Sequence, residues 1–282
     1  MPDTARPADS AAAHPAPGGL PAQSALMTQR AVFTESYAVI PRACMSDITA
    51  SILPGWTGMR MWVLARPMTG FAETFSQYIV ELSPGGGAAR PEIDPAAQGI
   101  LYVVSGELEL TLGGTGHTMA PGGYAWIAPG AEWSLRSGAG ARFHWVRKAW
   151  VPMPGASVPT SFVTSEDRAT TVAMPGTEGR WATTRFVDPE DTDHDCHVNI
   201  VTFEPGGTIP FEETHVMEHG LLVLEGKAAY RLNRDWVEVE AGDFMWLRAF
   251  CPQACYAGGP GRFRYLLYKD VNRHAALAPP GR

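Results

Sequence analysis

The sequence predicts an all-β protein built from two tandem copies of one β-barrel unit. Apolar runs of strand length, each closed by a Gly or Pro turn, follow one another over residues 74–148 and again over residues 196–269. The two series are in step, because Pro84 and Pro205 lie 121 positions apart. Such a repeated series of short strands favours an internal duplication of an all-β fold over alternating strands and helices.

The strand-length runs can be followed in order along both copies. Residues 31–64 hold short apolar pieces broken by Pro and Gly, which favour strands and turns over helices. The first copy then reads F-S-Q-Y-I-V-E-L, I-L-Y-V-V-S-G-E-L-E-L-T-L, Y-A-W-I-A and R-F-H-W-V-R-K. The second copy repeats this order with C-H-V-N-I-V-T-F, L-L-V-L-E-G-K-A-A-Y-R-L, D-F-M-W-L and R-F-R-Y-L-L-Y-K, in which Gly242 follows Gly122 by 120 positions.

These repeats divide the chain into five predicted segments. Residues 1–29 are rich in Ala and Pro and form a predicted flexible tail, which lacks the basic start and apolar core of a signal peptide. Residues 30–150 form the first β domain, and residues 151–194 form a linker with the strands that lead into the second domain. Residues 195–274 form the second β domain, and residues 275–282 form a C-terminal tail.

Composition excludes several classes of protein. Charged residues make up 18% and hydrophobic residues 45% of the 282 positions, as in a soluble globular chain with a substantial core. No apolar run approaches the roughly 18 residues that a transmembrane helix needs, so no membrane partner is expected. The net charge of −7 argues against a nucleic-acid partner and favours a small molecule. Four scattered cysteines do not indicate a disulfide scaffold, so a cytoplasmic location is expected.

The segment from Gly206 to Gly226 carries the leading candidate site. It places Glu213, His215 and His219 within seven residues, beside the aliphatic run L-L-V-L. Residues two apart on an extended segment point to the same face, so the side chains of Glu213 and His215 can aim at one point. His219 follows a short connection and opens a run long enough for a buried strand. Two imidazoles and a carboxylate from adjacent strands predict a metal site.

The first copy does not keep this cluster. Counting from the Pro-Gly turn, and with a one-residue slip before Gly106, the positions opposite the three candidate ligands hold no imidazole. These positions are Glu92, Asp94 and Gln98, and Trp133 lies opposite Gln253 of the second copy. The first domain is therefore predicted to lack metal ligands and to serve as a structural or assembly partner.

The order of strand, Pro-Gly turn, ligand cluster, Gly, strand, Gly-Asp and strand resembles the cupin fold. With the duplication, the chain resembles a bicupin, which consists of two tandem jelly-roll barrels. The usual first cupin motif is G-x5-H-x-H-x3-4-E-x6-G, whereas this chain has Gly206-x6-Glu213-x-His215-x3-His219-x6-Gly226. Carboxylate and imidazole have exchanged ends of the motif.

The second cupin motif usually supplies a His after a Pro, and here Pro252 is followed by Gln253. Together with E-T-H-V-M-E-H-G, the C-P-Q turn and Y-L-L-Y-K-D-V-N-R, this set closely resembles the (S)-ureidoglycine aminohydrolase family from about Arg30 to Arg273. The resemblance implies a manganese-dependent enzyme of purine catabolism, on the allantoin and allantoate route. Such an enzyme converts (S)-ureidoglycine and water into (S)-ureidoglycolate and ammonia.

The resemblance also implies roles for individual residues. The family's metal-ligand positions match Glu213, His215, His219 and Gln253. The substrate-contacting positions match Tyr230, Tyr265, Lys269, Glu213 and Gln253. A mixed nitrogen and oxygen set suits Mn²⁺ or Fe²⁺ better than an ion that prefers thiolates, so Mn²⁺ is favoured over Fe²⁺ and Zn²⁺.

The charge of this set suggests a mechanism. Because Glu213 is the one charged ligand, a divalent ion would keep a formal charge of about +1 and attract an anionic ureido substrate. Lys269 would add a second positive charge for the substrate carboxylate. Our mechanistic hypothesis gives Lys269 this role and has Glu213 move a proton as ammonia leaves and water adds.

Alternatives stay open at this point. Another metal-dependent cupin enzyme, such as a dioxygenase or isomerase, and a non-catalytic ligand-binding bicupin share the same fold. Cys251 and Cys255 share the parity of Gln253 and could make a zinc-like site. The segment Asp193–His197 has metal-like composition, but we interpret it as a polar loop that enters a strand.

The remaining His and Trp residues are interpreted as structural. His117 and His144 are predicted to be strand or turn residues. Five indoles are predicted to serve barrel and interface packing rather than to bind a cofactor: Trp126, Trp133, Trp145, Trp236 and Trp246. Exposed apolar strands in a duplicated barrel lead us to expect a homo-oligomer.

Overall fold

The computed structural model describes residues 30–45, 55–68, 70–270 and 273, and this part of the chain is almost entirely β-structure. Short 3-10 helices occupy Arg42–Cys44 and Glu166–Arg168. The strands of the first half are β1 Val32–Phe33, β2 Tyr37–Ile40, β3 Trp56–Ala65, β4 Ser76–Ala88, β5 Ala97–Gly106, β6 Leu108–Leu112, β7 Thr115–Met119, β8 Gly123–Ile127, β9 Trp133–Arg136, β10 Ala141–Ala149 and β11 Phe162–Ser165. The strands of the second half are β12 Thr170–Ala173, β13 Trp181–Arg185, β14 Cys196–Phe203, β15 Thr208–Glu213, β16 His219–Glu225, β17 Lys227–Leu232, β18 Asp235–Glu240, β19 Phe244–Leu247, β20 Gln253–Tyr256 and β21 Phe263–Asp270.

The strands form two barrels of the same design. In the first barrel, one sheet runs β11-β8-β5-β10-β4-β9-β6-β7, and β3 pairs with β4. In the second, one sheet contains β19-β16-β21-β14-β13-β12, and a smaller sheet runs β15-β20-β17-β18. The strand order within each copy is equivalent, which confirms the predicted all-β fold of two tandem jelly-roll barrels from an internal duplication.

The N-terminal described segment pairs with the second barrel. Strand β2 is antiparallel to β19, and the hydroxyl of Tyr37 donates to Asp235 at 2.6 Å. The Arg30 guanidinium also bonds the buried carboxylate of Asp243. In the opposite direction, β11 from the linker pairs with β8 of the first barrel. This exchange differs from the predicted division of the chain, which placed β2 with the first copy; the predicted tails, residues 1–29 and 275–282, lie outside the described residues.

Three apolar clusters form the core, one inside each barrel and one between them. Strands of the large sheets contribute to two clusters because successive side chains point to opposite faces. On β21, Tyr265 faces the interior of the second barrel, whereas Leu266 and Tyr268 belong to the cluster between the barrels. The Phe75 and Tyr268 rings stack across this interface with their centroids 3.9 Å apart. The two barrels therefore share a core.

Polar contacts between the barrels centre on Asp195. Its carboxylate accepts hydrogen bonds from the Gln98 amide at 2.5 Å and from the Lys148 ammonium at 2.7 Å. The preceding Asp193 accepts from the backbone and hydroxyl of Ser157, both at 2.9 Å. The stretch 193–195 precedes β14, which confirms the interpretation of a polar loop that enters a strand.

The structural interpretation of the aromatic and histidine residues is confirmed with one exception. Trp126, Trp133, Trp145 and Trp246 are buried in the cores, His144 lies in β10, and His117 lies in β7. The exception is Trp236, whose surface is 58% exposed because the side chain leaves the outer face of β18. In the described ranges, no helix has the length and apolar character needed to cross a membrane.

Equivalent glycines lie at the strand junctions of the two barrels, and the backbone of the second one closely approaches the last strand. Gly106 and Gly226 both have a positive φ, and a Cβ on Gly226 would lie 2.0 Å from the carbonyl oxygen of Arg262. Gly206 also has a positive φ, but a Cβ added there would have no atom within 4 Å. We expect Gly206→Ala to cost about 1–2 kcal/mol from the backbone conformation alone. Gly226→Ala should cost roughly a further 1–3 kcal/mol because backbone must move.

The measurement is the thermal unfolding midpoint of both variants by circular dichroism. Gly226→Ala should lower the midpoint roughly twice as far as Gly206→Ala or further. Equal midpoints for the two variants would contradict the close approach of the Gly226 backbone to the last strand.

Candidate metal centre

The ends of four strands bring the predicted ligands together. Glu213 is the last residue of β15 and pairs directly with Gln253, the first residue of β20. His219 is the first residue of β16 and pairs with Lys269 of β21. Directly paired residues have side chains on the same face of a sheet. The register therefore places a carboxylate, an amide, an imidazole and an ammonium at one end of the second barrel.

His215 lies in the connection between β15 and β16, and a second loop holds this connection in place. The backbone N–H of Phe250 donates to the His215 carbonyl at 2.6 Å. Phe250 has a φ of 65°, a left-handed conformation that is rare for a residue with a side chain. The residue that donates this hydrogen bond therefore has a strained backbone, and such strain is common near functional sites.

The four side chains share one end of the cavity. The His215 Nε2 and Gln253 Nε2 atoms lie 3.2 Å and 3.4 Å from Glu213 Oε1, and the rings of His215 and His219 stack with centroids 5.1 Å apart. His219 and Gln253 are buried, whereas His215 lies at the rim. Over the described ranges, no three His, Cys, Asp or Glu side chains are arranged closely enough to hold an ion as they stand. Ion binding would draw these groups together.

The protonation states suit metal ligation. Burial, the nearby His215 and Lys269 together lower the pKa of His219 to about 3, so its imidazole is neutral at physiological pH. A neutral imidazole is the form that ligates metals. One carboxylate, two imidazoles and an amide make a donor set that fits Mn²⁺ or Fe²⁺. The Gln253 amide would have to rotate so that Oε1 faces the ion, because Nε2 now faces Glu213.

Two tyrosines support Gln253 from the barrel interior. The Tyr230 hydroxyl lies 3.3 Å from Gln253 Oε1 and 3.3 Å from the Tyr265 hydroxyl. Burial is the largest cause that raises the pKa of both phenols, so both stay protonated. Tyr230 contacts the amide directly, and Tyr265 contacts Tyr230 and lines the cavity.

The cavity has a volume of about 210 Å³, and two cationic side chains line it. These are Arg185 and Lys269, which pairs with His219 across the strands, and Asn199 lines the cavity with them. Burial and then the charge of Arg185 lower the pKa of Lys269. Among the described residues, Glu213 supplies the one carboxylate of the lining. Two cations with a single acid make the cavity attractive to an anion.

Sequence reasoning missed Arg185 and Asn199, and it interpreted His197 as the end of a polar loop that enters a strand. The strand register now places two of these side chains: His197 pairs with Lys269, and Asn199 pairs with Leu267, so both face the cavity side of the sheet. His197 Nε2 and Asn199 Oδ1 are buried without a hydrogen-bond partner among the described residues. The alternation of C-H-V-N-I-V-T-F placed these two polar side chains on one face. Arg185 carried no comparable signal.

The first barrel carries different side chains in the equivalent region. The Glu92 carboxylate receives two hydrogen bonds from the Arg147 guanidinium, one of them at 2.6 Å. The Trp145 ring contacts those of Trp56 and Trp133, with centroids 5.5 Å and 6.0 Å apart. An ion pair and indole rings thus replace the predicted ligands of the second barrel, beside a cavity of about 560 Å³ that Glu92 and Trp133 help to line.

The predicted alignment of Gln98 with His219 is wrong by one residue. Gly99 pairs with Ile127 as His219 pairs with Leu247, so Gly99 takes the position of His219. The Gln98 side chain instead faces the Asp195 network between the barrels. The slip arose because an offset counted from Pro84 does not hold after the intervening loop.

The two cysteines that suggested a zinc-like site belong to the core of the second barrel. Cys251 and Cys255 are buried in its apolar cluster and do not line the cavity. Burial raises the pKa of the Cys251 thiol to about 11 and raises that of Cys255 further. Protonated, buried thiols are poor metal ligands.

Comparisons with known proteins give four informative matches. The family model of the Cupin domain matches residues 78–147 and 199–268, one match in each barrel. (S)-ureidoglycine aminohydrolase of Arabidopsis thaliana is 30% identical over 87% of this chain and 79% of its own length. A solved Pseudomonas aeruginosa structure, described as a glyoxylate-induced protein, is 66% identical with a TM-score of 0.86, over 93% of this chain and 97% of that one. Bacillus subtilis oxalate decarboxylase, studied for its Mn(II) centres, shares the fold at 12% identity and a TM-score of 0.64, over 88% and 81% of the chains.

The environment of Lys269 predicts its reactivity. A lowered pKa means that the neutral, nucleophilic amine forms at lower pH. In protein treated with EDTA, acetylation of Lys269 should therefore rise at a lower pH than acetylation of Nα-acetyllysine added to the same mixture. Arg185→Met should move the Lys269 midpoint upward, since the Arg185 charge contributes to the shift.

Peptide mass spectrometry across a pH series measures both midpoints. Arg180→Met is the matched control, because Arg180 is exposed and lies outside the cavity lining. A Lys269 midpoint equal to that of the free amino acid, or unmoved by Arg185→Met, would contradict the described environment.

Proposed function

We propose that this chain, which belongs to the (S)-ureidoglycine aminohydrolase family of bicupins, hydrolyses (S)-ureidoglycine to (S)-ureidoglycolate and ammonia. One observation carries the proposal: a carboxylate, two imidazoles and an amide lie together in a cavity that two cationic side chains also line. The substrate has the matching arrangement, with an amino group, a carboxylate and a ureido group on one small framework.

Glu213, His215, His219 and Gln253 are the residues that would hold Mn²⁺. When bound, a divalent ion supplies a Lewis acid beside the reacting carbon and a positive charge for an anionic substrate. The neutral state of His219 and the oxygen of Gln253 favour this ion over one that prefers thiolates. The Mn(II) centres of oxalate decarboxylase show only that the fold accommodates this ion in another protein.

Lys269 and Arg185 would bind the substrate carboxylate. Both line the cavity, and hydrogen bonds from charged donors to a carboxylate are stronger than those between neutral groups. Asn199 lies beside them with an unpartnered Oδ1 atom, which can accept from the N–H groups of the ureido substituent. The substrate would then be fixed at three points, which is the requirement for a product of single handedness.

Glu213 would move the proton. The reaction breaks the bond between Cα and the amino nitrogen and forms a bond between Cα and the oxygen of water. Glu213 accepts the proton that water loses and delivers it to the amino group, which leaves as ammonia, so atoms and charge balance. Its carboxylate is partly buried and lies beside His215 and Gln253. The proposed cytoplasmic location and homo-oligomeric assembly stay predictions.

Ammonia release tests the proposal directly. Metal-stripped protein is supplied with ureidoglycine generated in place from allantoate, with and without added Mn²⁺, and ureidoglycolate is resolved by chiral chromatography. We expect ammonia release that depends on Mn²⁺ and yields one enantiomer. Glu213→Gln should lower the rate by roughly 10²–10⁴-fold because it removes the proton carrier and the charged ligand.

The spontaneous breakdown of ureidoglycine without protein sets the baseline. Release that never exceeds this baseline at any Mn²⁺ concentration would refute the proposed reaction. Oxygen consumption in place of ammonia release would instead favour the dioxygenase class.

The two cationic side chains of the cavity predict a preference for an anionic ligand. N-carbamoylglycine keeps the ureido and carboxylate groups but lacks the amine, so it cannot react, and N-carbamoylglycinamide is its neutral counterpart. Arg185→Met should weaken binding of the anion by roughly 10-fold or more, as for loss of a charged hydrogen bond. Binding of the amide should change by less than about 2-fold, because it carries no charge to lose.

Calorimetric titration of Mn²⁺-loaded protein measures both affinities. Arg180→Met, which changes an exposed arginine outside the cavity, should alter neither. Equal affinities of the wild-type protein for acid and amide would contradict the assigned carboxylate site.

A further inference from the structure

The residues next to His219 and Lys269 face away from the cavity. Successive side chains of a strand point to opposite faces, and His219 and Lys269 line the cavity. Their chain neighbours therefore point toward the first barrel. These neighbours are Glu218, Gly220, Tyr268 and Asp270.

Glu218 binds the first barrel through its carboxylate. Oε1 accepts the Glu73 backbone N–H at 2.9 Å and the Trp246 indole N–H at 2.7 Å. Oε2 accepts the Thr74 backbone N–H at 2.9 Å and the Thr74 hydroxyl at 2.6 Å. Glu218 is only 6% exposed, so this carboxylate is satisfied by protein donors in place of water. Three of the four donors belong to residues 73–74, which lead into β4.

Gly220 allows the first barrel to touch the backbone on the other side of His219. A Cβ at this position would lie 2.6 Å from Gln77 Oε1 and 2.7 Å from the Phe75 ring. Such distances are too short for any side chain, so glycine is needed for the close approach. The first barrel thus contacts both chain neighbours of His219.

The same segment contacts the neighbours of Lys269. The Phe75 ring stacks on Tyr268 at 3.9 Å, and the Tyr268 hydroxyl lies 3.2 Å from Thr74 Oγ1. Asp270 accepts the backbone N–H of Glu218 at 2.6 Å, which ties the β16 and β21 ends together. One short stretch therefore fixes both cavity-facing residues from behind.

We propose that residues 73–77 of the first barrel position His219 and Lys269 for metal and substrate binding, and that Glu218 is the positioning residue that transmits this contact. The first barrel then has a specific role in the site of the second. The inference rests on the proposed metal centre. Outer contacts that orient a ligand change metal affinity because they fix the ligand before the ion arrives.

Glu218→Gln tests this role with little change of shape. The amide places an NH₂ group against at least one backbone or indole N–H donor, so at least one of the four hydrogen bonds is lost. We expect the Kd for Mn²⁺ to rise roughly 10–100-fold, as for other residues that orient ligands. The KM should rise with it. Electron paramagnetic resonance of free Mn²⁺ measures the affinity without any turnover.

Glu166→Gln is the matched control. Glu166 also joins the barrels, because it accepts from the Tyr102 hydroxyl at 2.8 Å and bonds the Arg264 guanidinium. Its contacts lie away from the cavity lining, so this variant should lower the unfolding midpoint but leave the Kd for Mn²⁺ within about 2-fold. Thr74→Val, which removes one donor, should fold readily and raise the Kd by a smaller factor than Glu218→Gln.

The outcomes separate this inference from the proposed reaction. A Kd for Mn²⁺ that stays at the wild-type value in both Glu218→Gln and Thr74→Val would overturn the positioning role and leave the reaction standing. If the Kd for Mn²⁺ rises in the variants but the wild-type protein releases no ammonia from ureidoglycine, the positioning role would be supported and the reaction overturned. If Glu218→Gln does not fold, the Thr74→Val result decides.

Discussion

The two-sided packing of strands β16 and β21 is the constraint on which the site depends. One face of these strands lines the cavity with His219 and Lys269, and the other face packs against the first barrel. Since adjacent residues must point to opposite faces, the site and the interface are built from the same few positions. A change on one face shifts the backbone that carries the other. The cavity is therefore a property of the pair of barrels, although all its lining residues belong to the second.

Duplication explains why the two barrels share one strand order. Their chemistry differs because the equivalent positions carry different side chains. In the first barrel, Arg147 pairs with Gly99 as Lys269 pairs with His219, and its guanidinium is bound to Glu92. That ion pair joins the two charges to each other. Indole rings lie in contact beside it. In the second barrel, Glu213 and Lys269 both line the cavity, where a bound molecule can contact both.

Much of this arrangement could be predicted from the sequence, because local patterns determine strands and their inner faces. The all-β duplication follows from a constant offset, and the position of His219 at the start of a strand follows from the aliphatic run behind it. Partners across space were not predictable in the same way. Strand β2 pairs with the second barrel, and Arg185 reaches the cavity, because of tertiary contacts that no local period records. Glu218 lies within the ligand motif, yet its orientation depends on a strand boundary one residue away.

The distribution of charge in the cavity links these features to the choice of substrate. Lys269 and Arg185 are close enough to lower the pKa of the lysine, so bringing both into the cavity has an electrostatic cost in the absence of an anion. Among the described lining residues, only Glu213 is acidic, and its carboxylate lies beside His215 and Gln253. A carboxylate between the two cations removes this repulsion, whereas a neutral ligand leaves it in place. Because the first barrel holds the strand that carries Lys269, this strand cannot move to reduce the repulsion between the two cations. In the proposed reaction, binding energy from the carboxylate would thereby be available to orient the carbon that reacts next to Glu213.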